Sequence, residues 1–301
     1  MSKPKVIVGL PVYNGQRWLG KAIESHLSQS YGDFQLVIAD NGSTDGTPDL
    51  AASYAAADKR VVVQRSPENR GILWNHRRVM EFIESDDQYF RWAAADDIMG
   101  PGLLAAMVDV LDTRPDVEAA VPDTKNIDNE DNIVGTMARA LDLQSSDRFE
   151  RAFQILTGRY QMVIAFGLFR ASTLRELRTA PDYIGWDFVF VWELALRGKL
   201  VQPPDAVLFR RFHPGAMSHV KTAKEMKKWV EPNSNAGMAL PHWTWMYERF
   251  RSVMRTPMSL KDRRRICTLL ARASVWDRET LYRDVKQATL RTLRLSDEYT
   301  F

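Results

Sequence analysis

The sequence predicts an α/β protein with a mostly parallel sheet flanked by helices and a helical C-terminal extension. In the first half of the chain, short apolar runs alternate with helical patterns, which is typical of βαβ units. The first run, residues 5–12, is apolar and β-branched almost throughout, as expected of a strand that is covered on both faces. After about Lys224 the pattern becomes helical.

Successive strand and helix units can be followed along the chain. Apolar positions from Trp18 onward form one helical stripe, and Thr47 with Pro48 reads as the N-cap and first residue of the next helix. The predicted strands are residues 5–12, 34–39, 61–64, 89–95, 118–122, 164–170 and 207–212. The predicted helices are residues 18–28, the segment from 47, and residues 72–84, 103–111 and 188–197.

Composition predicts a folded cytoplasmic protein. The 301 residues are 45% hydrophobic and 26% charged, and the single cysteine, Cys267, excludes a disulfide framework and is expected to be an inert core thiol. The N-terminal apolar run is too short for the core of a signal peptide. No window approaches the roughly 20 apolar residues of a spanning helix. Peripheral attachment at the inner face of the membrane stays open.

Charge divides the chain into two predicted parts, a catalytic domain at residues 1–224 and a basic extension at residues 225–301. Residues 226–301 carry fifteen Lys and Arg and eight Asp and Glu, a net charge of +7, whereas the rest of the chain has −4. We expect no nucleic-acid partner, because the extension has no recognisable nucleic-acid module. Two interpretations remain: a helix cap on the catalytic domain, or a basic amphipathic helix that contacts anionic lipid. The second rests on the arginines at 263–265 beside Ile266, Leu269 and Leu270.

Polar residues follow four predicted strands, at the point where each strand ends. They are Asn14, then Asp40 with Asn41, then Asn69 with Arg70, then Asp96 with Asp97. Ligands of open parallel sheets bind at the carboxyl ends of the strands, so these residues predict one crevice. The alternative is that Asn, Asp and Gly simply form turns there.

The ligand class follows from what the strand ends contain. The glycine patterns of dinucleotide-binding and phosphate-cradling loops are absent. A pair of carboxylates suits a hard divalent cation, which can clamp a diphosphate. Adjacent strand residues point to opposite faces, so Asp96 and Asp97 can share a ligand only where the strand has ended. The turn residues Gly100-Pro101-Gly102 directly downstream favour such an end.

Four segments carry a resemblance to a known family. VIVGLPVYNGQRWLGKAIESHLSQSY, LVIADNGSTDGT, ENRG and the Asp-Asp pair after the fourth strand resemble the family 2 glycosyltransferases, over roughly residues 4–220. The resemblance implies the GT-A fold, a Rossmann-like arrangement, and a mostly inverting transfer from a nucleotide-diphosphate sugar such as a UDP-sugar. It also implies an acceptor that is a sugar, glycolipid or cell-envelope polysaccharide. One departure is Ala94, which stands where the family commonly has a first acid.

The resemblance also implies site residues. The donor nucleotide would meet Pro11, Tyr13, Asn14, Asp40, Asn41, Arg70 and Asp96. A divalent cation, Mn²⁺ or Mg²⁺, would meet Asp97, Asp96 and His213, since a neutral imidazole suits manganese. Of the strand residues Arg210 and Arg211, which alternate faces, one would approach phosphate. Trp186 and His219 are candidates for contact with the acceptor.

Inverting transfer needs a general base that takes the proton of the acceptor hydroxyl. Asp187, in a Gly-Trp-Asp-Phe segment that resembles the family stretch with its catalytic aspartate, is the candidate base, and the alternative is an ordinary helix N-cap. Asp182 and Glu193 are fallbacks, although Glu193 is expected to pair with Arg197 on the same helix. Three other activities remain as alternatives: a retaining glycosyltransferase, a sugar nucleotidyltransferase, and a non-catalytic nucleotide-sugar-binding protein.

Overall fold

The computed structural model describes residues 5–84, 88–136, 143–158, 165–177, 183, 185–213, 229–230 and 240–293. Its first half alternates strands with helices. In order these are β1 (Val6–Val12), α1 (Gln16–Leu27), β2 (Phe34–Asp40), α2 (Thr47–Ala57), β3 (Val61–Arg65), α3 (Ile72–Arg78), a 3-10 helix (Val79–Phe82), β4 (Tyr89–Trp92), β5 (Ile98–Met99), α4 (Leu103–Thr113) and β6 (Val117–Ala120).

The second half adds a hairpin, further strands and the C-terminal helices. In order these are β7 (Asp123–Ile127), β8 (Ile133–Thr136), α5 (Arg148–Thr157), β9 (Leu168–Arg170), α6 (Ala171–Glu176), α7 (Trp186–Arg197), β10 (Lys199–Val201), β11 (Val207–Arg211), α8 (Pro241–Arg255), α9 (Leu260–Trp276) and α10 (Arg278–Thr292).

The larger sheet has the strand order β10-β6-β9-β4-β1-β2-β3. β1 pairs in parallel with both β2 and β4, and β2 pairs in parallel with β3. Only β9 runs antiparallel to its neighbours β4 and β6. The prediction of a mostly parallel sheet flanked by helices is therefore confirmed. Its physical basis is visible in β1 and β2, which are buried almost throughout because helices cover both faces.

A second, four-stranded sheet has the order β5-β11-β7-β8. It forms because β4 ends at Trp92, three residues earlier than predicted, and the chain pairs again at Ile98 and Met99 with β11. The segment between β4 and β5, which contains Asp96 and Asp97, therefore crosses from one sheet to the other outside any strand. That is the condition under which adjacent aspartates can share a site.

The C-terminal helices pack on the rest of the chain. Val253 of α8 and Leu269 of α9 belong to the same apolar core as Trp192 of α7. Arg255 of α8 binds both carboxylate oxygens of Glu193, at 3.0 and 2.6 Å. The predicted pair of Glu193 with Arg197 is therefore wrong, and Arg197 instead binds Glu176. Packing of α8 against α7 brings a cation to the buried Glu193, which a pattern within one helix does not reveal.

The amphipathic face predicted for α9 points inward. Ile266, Leu269 and Leu270 are at most 3% exposed and lie in the core. These three side chains are not available to lipid, so the lipid interpretation of that face is wrong. Cys267 is half-buried beside them, and burial raises the pKa of its thiol, which agrees with an inert cysteine. In the part of the chain that the structure describes, no helix is both long and apolar enough to cross a bilayer.

Candidate functional site

The loops that follow β1 and β2 are joined into one rim. Asn14, which has a φ of 51°, donates its N–H to Ser43 Oγ at 2.8 Å and accepts the Thr44 N–H on Oδ1 at 2.9 Å. Gly15 N–H donates to Thr47 Oγ1 at 2.9 Å. The N-cap of α2 is Gly46 and the helix begins at Thr47, so the prediction of Thr47 as the N-cap is wrong. The polar turn residues thus fix the two strand ends relative to each other.

Asp40 lies at the end of β2 and is fully buried. Its Oδ1 accepts the Ser43 N–H at 3.0 Å. Its Oδ2 has no hydrogen-bond partner among the described residues, and the nearest cation is the exposed Arg65, whose Nε lies 3.4 Å away. Leaving a buried acceptor without a donor costs free energy, so the site has one unused acceptor at the end of β2. On β1 beside it, Pro11 is half-buried, and Tyr13, just after the strand, is exposed.

Asn41 holds the loop after β3. Its Nδ2 donates to Asn69 Oδ1 and Gly71 O, and its Oδ1 accepts the Arg70 N–H at 3.1 Å. Gly42 next to it has a φ of 73°, and a Cβ there would lie 2.5 Å from the Glu68 backbone, so only glycine fits. The Asn41 amide is thus occupied by protein. The Arg70 side chain is exposed and its guanidinium lies 4.4 Å from the centre of the Trp74 ring.

The two adjacent aspartates differ in their surroundings. Asp97 is 5% exposed, and its Oδ1 accepts the backbone N–H of Arg211 at 2.9 Å. Burial, with the neighbouring Asp96 charge, raises the pKa of Asp97 to about 7. Asp96 is half-exposed, and its Oδ2 lies 2.9 Å from His213 Nε2. The structure therefore brings Asp96, Asp97 and His213 together, with Asp96 and His213 on the accessible side.

Arg211 is a residue whose role the sequence did not reveal. Alternation along β11 predicted that Arg210 or Arg211 approaches phosphate, yet Arg211 is 3% exposed and bound to protein. Its Nε donates to Asp96 O at 3.0 Å, and its other nitrogens bind the β7–β8 turn at Asp128 O and Asp131 Oδ1. Its guanidinium also stacks over the Trp18 ring at 4.2 Å. These partners come from three distant segments, which explains why no local pattern indicated them.

The Asp96 and His213 pair fits a divalent cation in its chemistry. A carboxylate oxygen and an imidazole nitrogen are ligands that Mn²⁺ accepts, and the first also suits Mg²⁺. In the described residues no group of three or more His, Cys, Asp and Glu side chains is arranged to hold a metal ion. A cation bound here would therefore complete its coordination with oxygens of a ligand or with water. Ala94, which stands where the resemblance implies a first acid, provides no ligand for such a cation.

Asp187 lies in the first turn of α7. The N-cap is Gly185, with a φ of 74°, so the alternative that Asp187 is an ordinary N-cap is wrong. Burial raises the pKa of Asp187 to about 6, although its own N–H and that of Phe188 partly offset the effect. Trp186 packs edge-on against Trp92, with ring centres 5.4 Å apart. Because Trp92 is the last residue of β4, this contact packs the Trp186 ring at the start of α7 against that strand.

The acceptor candidates are less informative. Trp186 is 7% exposed and belongs to the aromatic core around Trp92 and Phe190, so it offers little surface to a ligand. His219 lies outside the described residues, as does the fallback base Asp182.

Comparison with known proteins identifies the fold. S. aureus TarS 1–349 in complex with UDP has a TM-score of 0.62 at 13% identity, over 90% of this chain and 71% of that chain. Its complex with UDP-GlcNAc has a TM-score of 0.63 at 14% identity, over 90% and 72%. The GT-A arrangement that the resemblance implied is therefore confirmed.

Sequence relatives point the same way. The putative glycosyltransferase EpsE of Bacillus subtilis is 44% identical over 112 residues, which are 37% of this chain and 40% of EpsE. The putative teichuronic acid biosynthesis glycosyltransferase TuaG of the same organism is 33% identical over 95 residues, 29% of this chain and 38% of TuaG. The match thus spans less than half of either relative. An uncharacterized glycosyltransferase of Nostoc sp. is 26% identical over 243 residues, 78% of this chain and 73% of the relative. The family model for glycosyl transferase family 2 matches residues 7–178, more than half of the chain, and the chain therefore belongs to the family 2 glycosyltransferases.

Proposed function

We propose that this chain transfers a sugar from a UDP-sugar to an acceptor hydroxyl with inversion at the anomeric carbon. The observation that carries the proposal is the placement of two complementary groups on either side of β1. Asp40 Oδ2, which has Arg65 nearby but accepts no hydrogen bond from the described residues, ends β2, and the Asp96–His213 pair follows β4. Neighbouring strands lie about 4.8 Å apart, so the carboxyl ends of β2 and β4, on either side of β1, are about 10 Å apart. A nucleoside diphosphate can bridge such a distance.

The nucleoside binds at the Asp40 end. Asp40 Oδ2 accepts an N–H of the base, which satisfies its buried lone pair, while Pro11 and Tyr13 line the pocket beside it. Asn14 and Asn41 hold the loops of this end, and the Arg70 guanidinium stands at its rim. UDP is the nucleotide we favour, because the structurally similar TarS was solved with UDP and with UDP-GlcNAc.

The diphosphate binds at the other end, beside Asp96 and His213. These two residues would hold Mn²⁺ or Mg²⁺, and such a cation neutralises the charge that develops on a leaving diphosphate. Asp97, whose carboxylate holds β11, supports Asp96 from behind rather than facing the ligand.

Asp187 is the general base. As the acceptor oxygen forms its bond to the anomeric carbon, the bond from that carbon to the diphosphate oxygen breaks. The acceptor proton passes to the Asp187 carboxylate, and the nucleoside diphosphate leaves with the bonding electrons. The transition state is oxocarbenium-like, as in glycoside hydrolysis. A pKa of about 6 keeps Asp187 ionised at neutral pH and still basic enough to take the proton.

The acceptor class is a growing cell-envelope polysaccharide or glycolipid, and the reaction takes place in the cytoplasm. The relative TuaG is described as a teichuronic acid biosynthesis enzyme, which supports this class of acceptor. The single cysteine supports a reducing compartment.

Turnover of nucleotide sugars tests the proposal. Release of UDP from a panel of UDP-, GDP- and dTDP-sugars, with and without Mn²⁺, should be fastest for one UDP-sugar. Asp187→Asn should lower the rate of transfer by about 10²–10⁴-fold while UDP binding, measured by calorimetry, persists. Full transfer by Asp187→Asn would contradict the assignment of Asp187 as the base. A product with retained anomeric configuration, determined by NMR, would contradict the inverting mechanism. Absence of binding for every nucleotide sugar would contradict the whole proposal.

A further inference from the structure

Helix α8 carries large apolar side chains on two opposite sides. Its inner side, which includes Trp245, Ser252 and Val253, is buried against the rest of the chain. Its outer side carries large side chains at intervals of four, three and four residues, which places them in one row along the helix. This outer row consists of Trp243, Tyr247, Phe250 and Met254, which are 46%, 60%, 47% and 50% exposed. A surface helix normally has polar residues on the side away from the core.

The outer row is too small for a stable protein interface and too continuous for scattered surface residues. A buried aromatic side chain contributes about 150–250 Å², so the exposed halves of the four side chains in the row amount to roughly 300–500 Å². A specific interface needs about 800 Å² from each partner. A contiguous apolar patch of this size is comparable with the largest on a typical monomer, and such patches are often functional. Shallow insertion into a lipid surface needs no matching protein surface and suits such a patch.

The charges around the outer row favour an anionic lipid surface. The Arg251 side chain flanks the row, is 46% exposed, and lies 5.5 Å over the Tyr247 ring. Residues 226–301 have a net charge of +7. Other basic side chains of α9 and α10 are also exposed, at Arg264, Arg272, Arg278, Arg283 and Lys286, and so are the acidic Asp277 and Glu279. Aromatic rings at headgroup depth with cations beside them are the combination that binds anionic bilayers.

We infer that the outer row of α8 docks this protein on an anionic membrane surface. The site differs from the α9 face that the sequence suggested, since the apolar residues of that face are buried. The position of α8 also links the membrane to the chemistry proposed above, and this link alone rests on the proposed function. Trp245 on the inner side of α8 stacks with Phe188 at 4.8 Å, next to Asp187. Packed helices lie about 8–10 Å apart, so Asp187 would be one helix layer from the lipid, within reach of a lipid-linked acceptor.

Vesicle flotation of the full chain tests the inference. The wild type should float with vesicles that contain phosphatidylglycerol, float less with pure phosphatidylcholine, and be partly released at high salt. The double variant Tyr247→Gln, Phe250→Gln should bind anionic vesicles more weakly by roughly tenfold or more, because each aromatic side chain contributes apolar area. The matched control is Ile133→Gln, Val134→Gln on the edge strand β8, where the exposure is 56% and 59%. The control should bind like the wild type.

Several results would overturn the inference. One is a wild type that stays unbound with anionic vesicles, and another is a Tyr247, Phe250 variant that binds as well as the wild type. Light scattering provides a third. If the wild type binds no vesicles and forms a dimer, and the Tyr247, Phe250 variant is monomeric, the outer row contacts a second copy of the chain instead. Unchanged thermal unfolding of both double variants shows that the fold is intact. Vesicle binding is measured without turnover. A failure of the membrane inference and a failure of the proposed function would therefore appear in different experiments.

Discussion

The Asp97 carboxylate accepts the backbone N–H of Arg211 at 2.9 Å, and this bond fastens the turn after β4 to the strand β11. The Arg211 side chain forms a second hydrogen bond between the same two segments, because its Nε donates to Asp96 O at 3.0 Å. His213 follows β11 by two residues and lies 2.9 Å from Asp96 Oδ2. The relative position of Asp96 and His213 is therefore set by Asp97 and Arg211 rather than by either residue alone.

The two aspartates should respond differently to the same substitution. Asp97→Asn keeps an oxygen that can accept the Arg211 N–H and removes a buried charge, so we expect the fold and cation binding to persist. Asp96→Asn removes the accessible carboxylate and should weaken Mn²⁺ binding in the presence of UDP by on the order of tenfold or more. Electron paramagnetic resonance of free Mn²⁺ measures this without turnover. Equal losses in the two variants would contradict the division of roles.

The pH dependence of transfer should report Asp187. A general base must be ionised, and burial raises the pKa of this carboxyl to about 6. We therefore expect kcat/KM to be constant above about pH 7 and to fall tenfold per pH unit well below 6. Asp187→Asn should lower kcat by about 10²–10⁴-fold, and the residual rate should no longer fall below pH 6 in this way. If the residual rate of Asp187→Asn still falls below the same pH, another group is responsible for the pH dependence.

The same carboxyl should destabilise the folded protein at high pH. Its folded pKa of about 6 lies above the unfolded value of about 3.9, so the folded state binds the proton more tightly. The stability from this group is therefore complete below about pH 4 and is lost as pH rises through 6. Asp187→Asn should raise the free energy of unfolding by about 1–2 kcal/mol at pH 8, after allowance for partial solvent access, and by much less at pH 4. Urea unfolding at both pH values measures the difference, and a variant that is less stable at pH 8 would contradict it.

Arg211 should be needed for stability and for the shape of the cation site. Arg211→Ala removes the hydrogen bonds to Asp96 O, Asp128 O and Asp131, although Asp131 keeps Lys21 as a partner, and should cost about 1–3 kcal/mol in urea unfolding. Arg211→Lys keeps the charge but cannot bind Asp96 O, Asp128 O and Asp131 together, so we expect a smaller loss of stability. In Arg211→Lys the concentration of Mn²⁺ that gives half-maximal binding should rise, whereas UDP binding without metal should not change. Unaltered Mn²⁺ binding in a folded Arg211→Lys would limit Arg211 to a structural role.

Local pattern was sufficient for the larger sheet and for the polar residues at its strand ends. Apolar runs such as β1 predicted buried parallel strands, because a strand covered on both faces must be apolar at every position. Polar residues at strand ends predicted where a ligand would lie, since parallel strands carry their carboxyl ends to one edge. Asn14, Asp40 and Asp96 follow their strands in this way.

Only the tertiary structure decided which partner each of these residues meets. Asp96 and Asp97 are neighbours in sequence, yet one faces His213 and the other is buried beneath β11, because the chain changes sheets between them and Met99. Glu193 binds Arg255, 62 residues away, rather than Arg197 on its own helix. In α8 the residue spacing marks two apolar sides, and only packing shows that the Trp245 side is buried and the Tyr247 side is exposed. Periodicity along a chain specifies that a face is apolar, but the element that covers this face comes from a distant segment, so only the assembled fold determines it.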